Sequence, residues 1–115
     1  MTEAPMREPT FLVLTALAEE PRHGYAVIED VAVITGGRVR LRAGTLYAAL
    51  DRLRAEGLIA VDREEVVQSR LRRYYRLTGA GEQSLAVETA RLRDQAAIAE
   101  RRLRARHTRL GGATA

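Results

Sequence analysis

The chain has 115 residues, 46% of them hydrophobic, which is enough for one domain with a modest core. It has no cysteine, which excludes disulfides and thiolate–metal sites, and its formal charge of +4 rests on arginine: all 19 basic residues are arginine and none is lysine. The longest apolar run, residues 11–18, is broken by Thr15, is far too short to span a bilayer and lacks the flanks of a secretory signal. The expectation is therefore a cytoplasmic protein with no membrane partner.

Residues 1–8 are polar, contain Pro5 and read as a loose arm. Pro9 suits the first turn of a helix that runs to about Ala18, because the missing N–H costs nothing there. Phe11, Leu12, Val13, Leu14 and Leu17 make that helix apolar over a wide arc, so it should be largely buried, and Pro21 ends it. A second helix is predicted from about His23 to Ile34, with Tyr25, Ile28, Val31 and Ala32 facing inward and Gly36-Gly37 closing it. Arg38-Val39-Arg40-Leu41-Arg42 then alternates with period two, as a short edge strand or an extended connector.

Leu46, Leu50 and Leu53 recur at spacings of four and three, with Gly57 where a helix would stop. They predict a third, amphipathic helix beginning near Gly44-Thr45, with Thr45 as its N-cap. Its exposed face would carry Thr45, Ala48 and Arg52, flanked by Tyr47 and Asp51. Residues 58–67 are rich in β-formers, Gln68-Ser69-Arg70 is the expected turn, and residues 71–77 return as a second strand with Leu71, Tyr75 and Leu77 on one side. Three helices followed by a hairpin with arginines at its tip make a mostly α fold with a small β-hairpin, the winged helix-turn-helix.

Thr78 should start a long last helix, about Ala80 to Leu110, before a frayed end at residues 111–115. Positions 85, 89, 92, 96, 99, 103, 106 and 110 alternate by four and three, as in a coiled coil. Leu85, Leu92, Ala96, Ala99, Leu103 and Leu110 are apolar; Thr89 and Arg106 interrupt the seam. A domain this small offers little to bury such a seam, so the same helix of a second copy is the expected partner, against the alternative of a helix folded back on its own domain. The division is residues 1–78 for the winged helix-turn-helix and residues 79–115 for the dimerisation helix.

Charge placement says more than its total. Residues 38–54 hold five arginines against one acid, Asp51, and residues 69–76 hold four arginines and no acid. Acids collect at Glu19, Glu20, Glu29, Asp30, Asp62, Glu64 and Glu65. Such segregation is the footprint of a polyanion partner. The candidate readers of a duplex are Thr45, Tyr47, Ala48 and Arg52. Arg52 suits guanine O6 and N7, worth roughly 1–3 kcal/mol of discrimination; a surface pair with Glu56 is the alternative reading, as packing on the core edge is for Tyr47. Arg70, Arg72 and Arg73 would form a phosphate-gripping wing, or plain solvated hairpin charges, and Arg40 and Arg42 would steer the backbone. His23 and Tyr25 would sit at the second helix's start, where free N–H groups favour anions. The arginines at 101, 102, 104, 106 and 109 read as a solvated face around a dimer.

Gly44-Thr45-Leu46-Tyr47 with Leu50, Arg52-Leu53 and Gly57-Leu58-Ile59, then Arg73-Tyr74-Tyr75-Arg76-Leu77-Thr78 and Gly81, together with His23-Gly24-Tyr25, resemble the PadR family of bacterial transcriptional regulators, over about residues 10–82. The chain departs from the family's pattern at Ala43, Ala48 and Arg54. The resemblance implies a winged-helix dimer on operator DNA, usually a repressor, of the compact kind with one short terminal helix.

Enzyme chemistry finds no support: two histidines, His23 and His107, make no metal site, and no nucleophile context or phosphate-cradling glycine loop is present. No cofactor is expected. The expected partners are double-stranded DNA with a near-palindromic operator, a second copy of the chain, and a small-molecule effector that releases the DNA. The alternative is a winged-helix protein-interaction module that binds no nucleic acid; the salt dependence of duplex affinity separates the two.

Overall fold

The computed structural model describes residues 5–114, with side chains to Gly111. The part of the expected N-terminal arm before Pro5, and Ala115 at the other end, lie outside the described residues. In order come α1 (Glu8–Leu17), β1 (Arg22–His23), α2 (Gly24–Ile34), α3 (Ala43–Ala55), β2 (Ile59–Val67), β3 (Arg70–Leu77) and α4 (Gly79–Thr114). The chain forms two compact units, the first ending at Leu85 and the second beginning at Ala86.

The first unit is built on one core. Leu12, Val13, Leu14, Ala16 and Leu17 of α1 meet Val27 and Val31 of α2, Leu46, Leu50 and Leu53 of α3, Ile59 of β2 and Tyr75 of β3. Met6 and Leu85 pack against its edge, so the arm is anchored at Met6. Helix α1 carries proline in its first turn, as its sequence predicts. Both α2 and α3 end in the same hydrogen-bond pattern: Gly37 N–H donates to Ala32 O and Gly36 N–H to Val33 O, and Leu58 N–H donates to Leu53 O and Gly57 N–H to Arg54 O. At Gly57 this requires φ of +77°, which glycine adopts without a Cβ penalty.

Several expectations change. Tyr25 is 65% exposed rather than inward. Val27 and Val31, four residues apart, set the buried phase of α2, and Tyr25 lies on the opposite side of Val27. Thr45 is not an N-cap: α3 starts at Ala43, with Arg42 in the cap position and no side-chain cap bond. Leu71 is 62% exposed although it shares a strand face with Tyr75 and Leu77. The hairpin outruns the core, and the Val66–Leu71 pair lies two positions from its turn at the solvated end. Residues 38–42 form no strand; they are the extended connector, anchored by Val39 and Leu41. The end of α4 is helical to Thr114 rather than frayed from Gly111.

The sheet has a third strand that the sequence pattern does not announce. Its order is β1-β3-β2, with Arg22 opposite Tyr75 and His23 opposite Tyr74. The β2–β3 hairpin has a bulge between Val61 and Arg63. Its two-residue turn, Gln68-Ser69, has positive φ at both positions, the backbone that a two-residue hairpin with right-handed twist demands.

The junction of α3, hairpin and α4 is tied at one point. Thr78 N–H donates to Leu58 O at 3.1 Å, and the Thr78 hydroxyl donates to Gly57 O at 2.7 Å while accepting from Gly81 N–H. A Cβ at Gly81 would overlap the Leu58 carbonyl oxygen, backbone that cannot move without breaking this tie. Gly81→Ala should therefore lower stability by about 1–3 kcal/mol. Gly79→Ala, where nothing lies within 4 Å of the new Cβ, should not. Equal melting midpoints for the two variants would refute the close approach.

Candidate nucleic-acid interface

Burial of Leu46, Leu50 and Leu53 turns the other side of α3 outward, so Thr45, Tyr47, Ala48 and Arg52 are all exposed. Tyr47 lies against α2: a Cβ at Gly24 would come within 2.5 Å of its hydroxyl oxygen. The ring thus packs on Gly24 with 47% of the residue still accessible. Core-edge packing and contact with a groove are both geometrically open to it.

Beside this face, the hairpin and the start of α2 enclose an open cleft of about 650 Å³. His23, Gly24 and Tyr25 line one side, Tyr47 and Asp51 another, and Val67, Gln68, Arg70, Leu71, Arg72, Arg73 and Tyr75 the third. Arg70, Arg72 and Arg73 line this cleft beside one carboxylate, Asp51, so its lining holds more basic than acidic groups. The sequence candidates His23, Tyr25, Tyr47, Arg70, Arg72 and Arg73 are thereby brought together. Thr45 and Ala48 are exposed on α3 outside the cleft lining, and Arg40 and Arg42 are exposed in the connector.

Arg52 goes elsewhere. Its Nη2 donates to the Thr10 hydroxyl of α1 at 3.0 Å, and its Nη1 lies 3.8 Å from Glu56. The surface pair with Glu56 is the geometry present, together with a bond to α1 that the sequence did not signal. Arg38, the first arginine of the connector, is held by Glu8 through two hydrogen bonds.

The wing arginines differ in the same way. Arg73 donates to Glu64 at 3.1 Å. Arg72 stands opposite Glu65 in the strand register, but Glu65 accepts from the Tyr74 hydroxyl at 2.7 Å instead. Among the described residues no carboxylate lies within 4 Å of Arg40, Arg42, Arg70 or Arg72. These four carry charge that no described carboxylate neutralises at contact.

Tyr74 is the residue that sequence reasoning missed. Arg63 stacks over its ring at 3.8 Å, and the His23 ring meets it edge-on at 5.3 Å. No spacing rule could find it, because His23 reaches Tyr74 only through the two-residue strand β1.

His23 is the N-cap of α2, its Nδ1 accepting from Ala26 N–H at 3.3 Å. That requires the neutral imidazole, since a protonated ring has no acceptor. Burial lowers the His23 pKa from its ordinary 6.5, and the Arg72 charge lowers it further, against opposing pulls from Glu29 and Glu65. The unfolded chain then binds the proton more readily than the folded one, so this residue withdraws stability as pH falls below about 6.5. His23→Asn keeps a cap acceptor and does not titrate there. Its loss of stability on mild acidification should be smaller than that of the parent; equal losses by chemical denaturation would exclude a titrating cap.

Among the described residues no helix is long and apolar enough to cross a membrane, and no group of three or more His, Asp or Glu could hold a metal ion. The sequence pattern of the transcriptional regulator PadR-like family matches residues 13–87. A transcriptional regulator of Mycobacterium tuberculosis is 38% identical over 78 residues, 68% of this chain and 59% of that protein. The crystal structure of a PadR family transcriptional regulator from Eggerthella lenta matches with a TM-score of 0.68 at 30% identity, over 83% of this chain and 80% of that one. Bacillus subtilis PadR, solved in complex with operator DNA, matches with a TM-score of 0.62 at 23% identity, over 70% of this chain and 46% of that one. The winged helix-turn-helix described above is the fold of these proteins, and the chain belongs to the PadR-like family of transcriptional regulators.

Proposed function

We propose that this chain is a sequence-specific DNA-binding repressor that works as a homodimer in the cytoplasm. The observation that carries the reading is the arginine-lined cleft between the exposed face of α3 and the wing, with no described carboxylate in contact with Arg70 or Arg72. A helix of this diameter fits the major groove, where Thr45, Tyr47 and Ala48 would meet base edges. Arg70 and Arg72 would grip phosphates or the adjacent minor groove, and Arg40 and Arg42 the backbone beside the helix start. The Bacillus subtilis relative bound to operator DNA supports the same use of the fold.

Two copies would meet through α4. In the second unit Leu92, Ala96, Ala99, Leu103 and Leu110 are all exposed, while Leu85, the first seam residue, packs on the core of its own unit. Two recognition helices held one turn apart would read a near-palindromic operator and occlude a promoter. A small-molecule effector would release the DNA only by binding more tightly to a dimer whose helices no longer match the groove spacing.

Arg70→Ala with Arg72→Ala should weaken duplex binding and flatten the slope of log affinity against log salt by about 0.9 for each phosphate no longer neutralised. Arg73→Ala should do less, because Glu64 already holds that charge. Arg52→Ala should cost about 1 kcal/mol of stability by removing the Thr10 bond, with the salt slope intact. Binding assays over a salt series, with melting curves beside them, check all three. No duplex affinity in dilute buffer would overturn the reading in favour of a protein-interaction module. Leu92→Arg with Leu103→Arg should leave monomers in sedimentation; intact dimers would remove α4 as the interface.

A further inference from the structure

Resting on the reading that the cleft receives duplex DNA, we infer that His23 is a phosphate contact that takes up a proton as the duplex binds, so that affinity rises on mild acidification. The ring stands at the start of α2 and lines the same cleft as Arg70 and Arg72. Two contacts hold it. Its Nδ1 accepts from Ala26 N–H at 3.3 Å, and the ring meets Tyr74 edge-on at 5.3 Å, its plane 89° from that of the phenol. An accepting Nδ1 places the neutral ring's proton on Nε2. Among the described residues no acceptor takes that Nε2–H, so it is a spare donor in an arginine-lined cleft.

Every element around the ring contributes charge. Burial and Arg72 of β3 favour the neutral imidazole, in that order, while Glu29 of α2 and Glu65 of β2 favour the imidazolium. Tyr47 and Asp51 of α3 line the cleft with it. Arg22, its neighbour on β1, is engaged elsewhere: Nε donates to Ala16 O, and Nη2 lies 3.5 Å from Glu20. Arg63 of β2 stacks on the Tyr74 ring. Glu65 already accepts from the Tyr74 hydroxyl, and no described carboxylate lies within 4 Å of Arg72. The free protein thus holds His23 neutral, with an uncompensated cation beside it.

A duplex changes that balance in one direction. Its phosphates compensate Arg72 and add negative potential of their own, and both effects favour the imidazolium. The His23 pKa therefore rises on binding, and a group that binds protons more tightly in the complex raises the binding constant as pH falls. Protonation also ends the bond from Ala26 N–H, since the charged ring has no acceptor. That loss is common to the free protein and the complex, so it leaves the sign unchanged. The freed Ala26 N–H and both ring N–H groups are then donors at a helix start, the arrangement that suits a phosphate oxygen.

Histidine is the side chain that changes charge in this range, and the chain has two, His23 and His107, so the test has its own control. The full chain is titrated at constant salt, from about pH 8 to about pH 6, with two duplexes: one selected by the purified protein from random fragments, and an unselected one of equal length. Circular dichroism confirms the folded state at each pH. Affinity should rise on acidification, approaching tenfold per pH unit for each proton taken up. His23→Asn, which keeps a cap acceptor, should lose the rise, and His107→Asn should keep it. In the parent, the His23 Cε1–H resonance should titrate at higher pH with the selected duplex than without it; this measurement decides the matter if His23→Asn does not fold. Affinity that stays flat or falls, a rise that survives His23→Asn, a rise lost in His107→Asn, or an unchanged resonance titration each overturns the inference. A parent that binds duplex with a flat profile leaves the DNA reading standing and removes His23 alone. No affinity for either duplex at any pH removes both.

Discussion

Three leucines with no accessible surface decide which face of α3 is exposed. Leu46, Leu50 and Leu53 are each 0% exposed, and burying each contributes roughly 1.5–3 kcal/mol. No other rotation of α3 about its axis buries all three, so the core fixes which side chains the helix presents outward. Thr45, Tyr47 and Ala48 are exposed because the leucines are not. The same core positions the wing, since Ile59 and Tyr75 belong to it and the hairpin continues outward from them. Even the helix ends serve this arrangement: the closure of α3 at Gly57 delivers Leu58 to the point where Thr78 and Gly81 meet it.

The electrostatics of the surface follow from which carboxylates are already engaged. Arginines are abundant, but Arg38, Arg52 and Arg73 are matched by Glu8, Glu56 and Glu64. Arg72 would be matched by Glu65 across the strands, except that Tyr74 takes that carboxylate. Tyr74 also supports Arg63 and the His23 ring, so one phenol ties the hairpin to the start of α2. Exposed ion pairs of this kind contribute little to stability. Their consequence is the charge pattern: by occupying some arginines they leave the others on the cleft side uncompensated.

The α-helical part of the fold was legible in the sequence because its signals are local. Proline in the first turn of α1, glycines after α2 and α3, and the leucine spacing of α3 each report a hydrogen-bond or packing requirement within a few residues. The hairpin and the place of its turn were legible for the same reason, though not the turn type, since Gln68 and Ser69 take the left-handed conformation without the glycine that usually announces it. Strand β1 was not legible: two residues carry no alternation, and Arg22-His23 becomes a strand only because β3 lies beside it. Tyr25 was misplaced because its apolar ring suggested a core that Val27 and Val31 already filled.

Of the candidate site, the residue types and their clustering were determined by the sequence: arginines along the connector and wing, an aromatic and small side chains along α3, acids elsewhere. Local spacing and composition carry that much, because charge and periodicity are properties of the chain itself. Which arginines remain unpaired, that Arg52 reaches Thr10, and that His23 caps α2 against Tyr74 were decided only by the tertiary structure. The Arg52–Thr10 and His23–Tyr74 contacts join residues tens of positions apart, and the distance between two side chains in space is set by the packing of whole elements, which no local pattern encodes.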